Sequence, residues 1–248
     1  MKKQLSTPDT NVIVIKEYPS KMIAYDILNI QSRSFTVGDI RFLMSKGLDH
    51  ESIIAKYNDA CVNFDIYKLS LLDYFFHATT VTLFSNPQQT WIWNPKCKSC
   101  QKSIAVTVSY KNFFEFNDIV LEGYPLFITI NGVELKMGFF TVQDWLDLKK
   151  PEYADYDIEL LTFAFMIKNM EVAQAYEFIK SIVNLDDLHL LEQCEKLLGS
   201  HGLKPKELVC NECGAKDFYE TELAVSDVTP FRQPADVIKS RIVFGQRN

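Results

Sequence analysis

A chain of 248 residues, 47% hydrophobic and 23% charged, has the composition of a globular protein and not of a disordered one. Its formal charge of −6 argues against a main task of holding nucleic-acid phosphates. The longest apolar run, residues 160–167 interrupted by Thr162, is far short of the roughly 20 residues of a membrane span, and the polar first ten residues offer no apolar signal region. A soluble, unexported protein with no membrane partner is expected.

In chain order, residues 11–16 (Val12-Ile13-Val14-Ile15) read as a short strand, Tyr18-Pro19-Ser20 as a turn, and residues 25–30 as a second extended segment. Thr36-Val37-Gly38-Asp39 fits a capping box opening a helix with Ile40, Leu43 and Met44 that stops at Gly47. Asp49 caps a second helix, with Ile53, Ile54, Tyr57 and Cys61 on one face. Ser70-x-x-Asp73 opens a third, with Leu72, Phe76 and Leu83 at helical spacing, which ends at Asn86-Pro87.

Thr90-Trp91-Ile92-Trp93 and Ile104-Ala105-Val106-Thr107-Val108 read as strands around the first cysteine pair. Leu126–Ile130 and Val133–Met137 flank Asn131-Gly132, a strong hairpin signal because both turn positions need positive φ. This stretch is expected to be part of a β-module grown from the cysteines. Thr141-x-x-Asp144 is another capping box, and residues 141–199 read as helical, broken near Pro151, Asn169 and Asn184 and closed by Gly199. Its stripes are Ile158, Leu161 and Phe165; Val172, Tyr176, Ile179 and Val183; and Leu190, Leu191, Cys194 and Leu198. The block holds 12 acidic and 5 basic residues, so all the net acidity of the chain lies there. A solvated helix face accounts for it, with an acidic docking face for a protein partner as the alternative. After Lys204-Pro205 a strand leads to the second cysteine pair, residues 217–225 read as another strand, and the basic tail from Phe231 is broken by Pro234. No internal repeat or low-complexity tract is visible.

Four of the six cysteines form Cys97-Lys98-Ser99-Cys100 and Cys210-Asn211-Glu212-Cys213. Two intervening residues let both thiolates grip one ion, and two such knuckles supply the tetrahedral four-sulfur set that suits a single structural zinc. Gly214 allows a positive-φ turn, and Lys96, Lys98, Lys102 and Lys216 are placed to offset the anionic cluster. Residues 101 to 209 separate the pairs, so they must meet across an inserted segment. Two unrelated pairs, or a redox Cys-x-x-Cys, are the rival readings. Four thiolates leave no open position for water activation, so the metal would hold a fold and run no reaction. Cys61 and Cys194 read as small buried hydrophobes.

No phosphate-binding glycine loop, zinc-protease helix or nucleophile elbow is present. His50 reads as an exposed first-turn residue, His77 and His189 lie beside apolar helix faces, and His201 is isolated. Trp91, Trp93, Phe113, Phe114 and Phe116 fit core packing better than base stacking. No enzyme activity is expected.

The order of features carries a resemblance. Tyr18-Pro19-Ser20, Tyr25 to Ile30 and Phe35-Thr36-x-x-Asp39-x-x-x-Leu43 precede Cys61 and Leu69-x-x-x-Asp73. Cys97-x-x-Cys100, a β-module, and a second Cys-x-x-Cys with Pro230-Phe231-Arg232 then follow. This resembles the T-even-type phage baseplate hub assembly proteins over most of residues 12–140 and 205–233. The first knuckle departs from the pattern, with Lys98 and Gln101 where proline and glycine are usual. The resemblance implies a non-enzymatic, host-cytoplasmic factor that helps assemble the baseplate hub by binding hub proteins, either acting transiently as a chaperone or remaining as a minor baseplate component. The rival is a zinc-ribbon nucleic-acid-binding protein; a thiol redox enzyme is a third class.

The expected architecture is α+β: an N-terminal strand pair with three helices (1–90), a zinc-ribbon-like β-module with hairpin (91–140 plus 205–233), an inserted helical block (141–204), and a tail (234–248).

Overall fold

The computed structural model describes residues 11–43, 45, 47–85, 90–109 and 115–220, and the fold is α+β. Among these residues the strands occur only as four antiparallel pairs, each separate from the others. The first pair is β1 (Val12–Ile15) with β2 (Ile30–Arg33), Ile15 lying opposite Ile30. Residues 25–29, expected to be extended, do not join it. Lys21 and Met22 both take positive φ, 56° and 59°, and the Tyr25 hydroxyl is drawn inward to Asp73, so the chain turns here instead of pairing.

The caps form as the side chains dictate. In α1 (Val37–Leu43) the Asp39 N–H donates to Thr36 Oγ1 at 3.2 Å while Asp39 Oδ2 accepts from the Thr36 N–H at 2.9 Å. Asp49 accepts from the Ser52 N–H at 2.7 Å to open α2 (His50–Ala60), which buries Ile53, Ile54 and Tyr57 completely. Cys61 caps that helix and is half-buried, not fully buried as expected. In α3 (Leu71–Ser85) the buried face is Leu71, Tyr74, Phe75, Ala78 and Val81, whereas Leu72, Phe76 and Leu83 lie on a half-buried flank. The expected stop at Asn86-Pro87 lies outside the described residues, as do Phe113, Phe114 and the segments 221–225 and 234–248.

β3 (Thr90–Trp93) pairs with β4 (Val106–Ser109), and β5 (Leu126–Ile130) with β6 (Val133–Met137). Asn131 and Gly132 turn the second hairpin at φ of 50° and 77°. Expected in the cysteine module, this hairpin packs elsewhere. Its buried Ile130, Leu135 and Met137 instead join a helical core with α5 (Ile158–Met166), α6 (Val172–Lys180) and α7 (Leu185–Leu198). Backbone bonds from Gly138 N–H to Met166 O and from Lys168 N–H to Lys136 O, both 2.8 Å, tie β6 to the end of α5. The stripes of these helices bury Leu161, Phe165, Tyr176, Ile179, Leu191, Cys194 and Leu198, but Ile158 and Val183 point out, 64% and 92% exposed.

α4 (Val142–Asp147) carries the expected Thr141/Asp144 capping box, yet Val142 and Trp145 pack into the N-terminal core with Tyr57 and Tyr74. The chain therefore enters the helical block from inside the first core. A third, small cluster joins Cys97, Ile104, Cys210 and Tyr219, where β7 (Lys206–Val209) pairs with β8 (Lys216–Tyr219). No helix among the described residues is long and apolar enough to cross a membrane.

Candidate metal centre

Each cysteine pair occupies the turn of a β-hairpin, and the two turns share one backbone design. The Cys97 N–H donates to Lys102 O and the Gln101 N–H returns to Cys97 O; Cys210, Ala215 and Gly214 repeat both bonds, all at 2.8–2.9 Å. Gln101 and Gly214 both adopt positive φ. Pairing continues the match: Lys96 faces Ser103 as Val209 faces Lys216, and Trp93 faces Val106 as Lys206 faces Tyr219. The sequence shows no repeat because only the cysteines and the turn geometry recur; the other side chains differ.

The two turns bring Cys97, Cys100, Cys210 and Cys213 together, with all four sulfurs within 4.8 Å of one another. The Sγ atoms of Cys97 and Cys213, and those of Cys100 and Cys210, are 3.7 Å apart. A disulfide needs about 2.05 Å, so these are not bonded pairs. A tetrahedron of thiolates around one ion at about 2.3 Å has edges of about 3.8 Å, and the two spacings match it. The site is therefore compatible with a single metal ion. Neither pair opens a helix, the setting a redox Cys-x-x-Cys uses to lower a thiol pKa.

The electrostatics point the same way. The Cys100 N–H, 3.5 Å from Cys97 Sγ, is the largest influence pulling that thiol down to about 6, against the cost of desolvation. The Ala215 N–H acts similarly on Cys213, but the surrounding thiols outweigh it and hold Cys213 up at about 12. Four sulfurs this close cannot all ionise without a cation among them. Cys97 and Cys210 are 1% exposed, while Cys213 lies at the surface.

Three of the four flanking lysines expected to offset the cluster are paired with carboxylates. Lys98 pairs with Asp217 at 3.3 Å, Lys102 with Glu212 at 2.8 Å and Lys216 with Glu207 at 2.8 Å. The first two of these cross between the hairpins. Cys61 and Cys194 lie elsewhere, their thiols pushed up by burial.

One constellation has no signal in spacing. Asp73, fully buried, accepts from the Ser20 N–H at 3.2 Å, from the Ser20 hydroxyl, and from the Tyr25 hydroxyl at 2.7 Å. Ser70 Oγ joins it to the buried His201 at 3.1 Å, and His77 links Tyr18 at 2.7 Å to Ser32 at 3.2 Å. His201 comes from the segment after α7, so the cluster stitches the N-terminal and helical cores. Ser70 and Asp73 approach the same His201 nitrogen, Nε2, so these three side chains are not arranged as a Ser-His-Asp relay. His189 is exposed beside Glu192, not set on an apolar face, and His50 is half-buried against Trp145. Phe116 packs edge-on against Phe76 and Trp93 against Tyr219.

Comparison with protein-family models, with curated proteins and with solved structures returns no match for the chain.

Proposed function

We propose that this is a non-enzymatic assembly factor, stapled by one structural zinc, that promotes building of a phage tail baseplate hub in the host cytoplasm through protein–protein contacts. The zinc reading is carried by one observation: four sulfurs from two distant hairpins converge at tetrahedral spacing. Zinc bound there would cross-link the hairpins, and its four thiolates would fill the coordination sphere. The chain's own residues supply the rest: backbone N–H groups orient the sulfurs, and ion pairs across the hairpins hold the knuckles face to face. The hub role is supported by the ordered motifs of the resemblance. Of these, Tyr18, Ser20, Tyr25 and Asp73 contribute to the buried polar cluster that joins the cores.

The nucleic-acid reading is weakened by the same ion pairs, because Lys98, Lys102 and Lys216 each already face a carboxylate.

Elemental analysis of the reduced protein tests the metal, with one zinc per chain expected; absence of stoichiometric metal overturns it. Mixing with purified baseplate hub subunits tests the role. A defined complex or faster hub assembly is expected. Salt-dependent DNA or RNA binding without hub binding would move the assignment to the zinc-ribbon rival.

A further inference from the structure

We propose that the cysteine centre is also an oxidation site: peroxide is attacked by the exposed Cys213 sulfur, which Cys97 then captures as a disulfide between the two hairpins. The inference rests on the zinc reading above and concerns which sulfur gives the centre its reactivity.

The four sulfurs differ in access. Cys97 and Cys210 are buried and Cys100 is half-buried, whereas Cys213 lies at the surface. A thiol that ligates a metal ion is already deprotonated, and oxidation follows thiolate character and exposure. Cys213 is therefore the sulfur that an oxidant in solution reaches first. Geometry sets its partner. The sulfur contacts with hydrogen-bond geometry are Cys97–Cys213 and Cys100–Cys210, both at 3.7 Å, and both cross between the hairpins. Closing the first to the roughly 2.05 Å of a disulfide asks for a movement of less than about 2 Å. The pairs Lys98–Asp217 and Lys102–Glu212 also bridge the hairpins and hold the knuckles face to face meanwhile.

The steps balance with one peroxide. The Cys213 thiolate attacks a peroxide oxygen, the O–O bond breaks, and hydroxide leaves behind a sulfenic acid. The Cys97 thiolate then attacks the Cys213 sulfur, an S–S bond replaces the S–O bond, and a second hydroxide leaves. Each of the two thiolates loses one electron, the peroxide gains two, and both hydroxides take protons from solvent to become water. The ion, left with Cys100 and Cys210 alone, is released. A covalent link then joins the hairpins in place of the metal, whereas a bond within either Cys-x-x-Cys would leave them untied.

The test treats the zinc-loaded full chain with one equivalent of hydrogen peroxide and reads the freed ion with a chromogenic chelator. Trypsin and a glutamate-specific protease cut after Lys98, Lys102 and Glu212, which places the four cysteines on four peptides. Mass spectrometry without reduction then identifies each linkage. Expected are one zinc released per disulfide, Cys97–Cys213 as the main product, and zinc rebinding after a thiol reductant. A main product linked within either knuckle overturns the proposal, as does peroxide that is consumed with no disulfide formed. Cys213→His keeps a fourth ligand that zinc accepts and removes the exposed thiol. Its zinc is expected to leave about tenfold more slowly under peroxide, because exposed thiolate governs oxidation. Release at the parent's rate overturns the role of Cys213. Should this variant not fold, the linkage map of the parent decides alone. A reduced parent chain that takes up no zinc overturns the metal reading itself. The Cys97–Cys213 linkage, formed or absent in that metal-free chain, then still decides the oxidation site.

Discussion

Gln101 and Gly214 occupy the same position in the two knuckles, each one residue beyond the second cysteine, at φ of 61° and 72°. The left-handed region costs an L-residue roughly 1–2 kcal/mol, and only glycine enters it freely. Nothing lies within 4 Å of a Cβ built on Gly214, so a substitution there meets backbone strain and no clash. Gly214→Ala is expected to destabilise the metal-loaded protein by about 1–2 kcal/mol in urea unfolding. Gln101→Gly removes the strain but also the Gln101 Nε2 bond to Lys98 O at 3.1 Å, so a gain of about 1 kcal/mol or less is expected. A Gly214→Ala protein as stable as the parent would show that the turn relaxes to another geometry.

Chelation should act locally. The cysteine cluster buries little beyond Cys97, Ile104, Cys210 and Tyr219, while the two larger cores have their own apolar interiors. Structural zinc sites carry apparent binding energies of roughly 10–16 kcal/mol that become folding energy. Removing the metal is therefore expected to expose the amides of β3, β4, β7 and β8 to hydrogen exchange while α2, α3 and α5 stay protected. Cys210→Ser should reproduce this pattern. Uniform loss of protection would mean that the metal supports the whole molecule.

The local parts of this fold were written in the sequence, and the long-range parts were not. Thr36/Asp39, Thr141/Asp144 and Asn131-Gly132 specify their caps and turn through neighbouring side chains and φ alone, and all three form. The cysteine pairs announced themselves because ligand spacing is set by the ion, whatever separates the pairs. The packing of the Asn131-Gly132 hairpin was not readable, since Ile130 and Met137 are apolar enough to suit either neighbour. Asp73 sits where a helix-capping carboxylate would, but its partners Ser20 and Tyr25 lie about fifty residues away, a relation periodicity does not encode. His201 stands alone in sequence and is buried only because the chain after α7 returns to Ser70.

Asp73 makes a further prediction. Truncation would leave the Ser20 N–H, the Ser20 hydroxyl and the Tyr25 hydroxyl without their acceptor, in a region closed to water. Asp73→Ala is expected to cost about 3–5 kcal/mol, because three buried donors lose their acceptor at roughly 1–3 kcal/mol each. Asp73→Asn keeps one acceptor oxygen and should cost less. Ser20→Ala removes one donor and should cost about 1–2 kcal/mol. Denaturant midpoints of the three variants check the order, and an Asp73→Ala protein within 1 kcal/mol of the parent, about the value of a single ordinary hydrogen bond, contradicts it.

The buried histidines set the acid response. Burial holds His77 and His201 down at about 4, from 6.5, so folding favours their neutral forms. Their contribution is full above pH 6.5 and is lost as pH falls through about 4, on the order of 3 kcal/mol for each. Asp73 opposes them. Burial outweighs its hydrogen bonds and raises it to about 6, from 3.8, so its protonation favours the folded state as pH falls through that window. Two groups against one leave a net loss of stability between pH 6.5 and 4. Metal release from the thiolates adds to this loss, but it is common to parent and variant and cancels in their difference. His77→Gln keeps polar atoms near Tyr18 and Ser32 and takes up no proton in this range. It is expected to be less stable than the parent at pH 7 and to close that gap steadily as pH falls from 6.5 to 4. Melting temperatures that stay parallel across the interval would show that His77 does not take up its proton on unfolding.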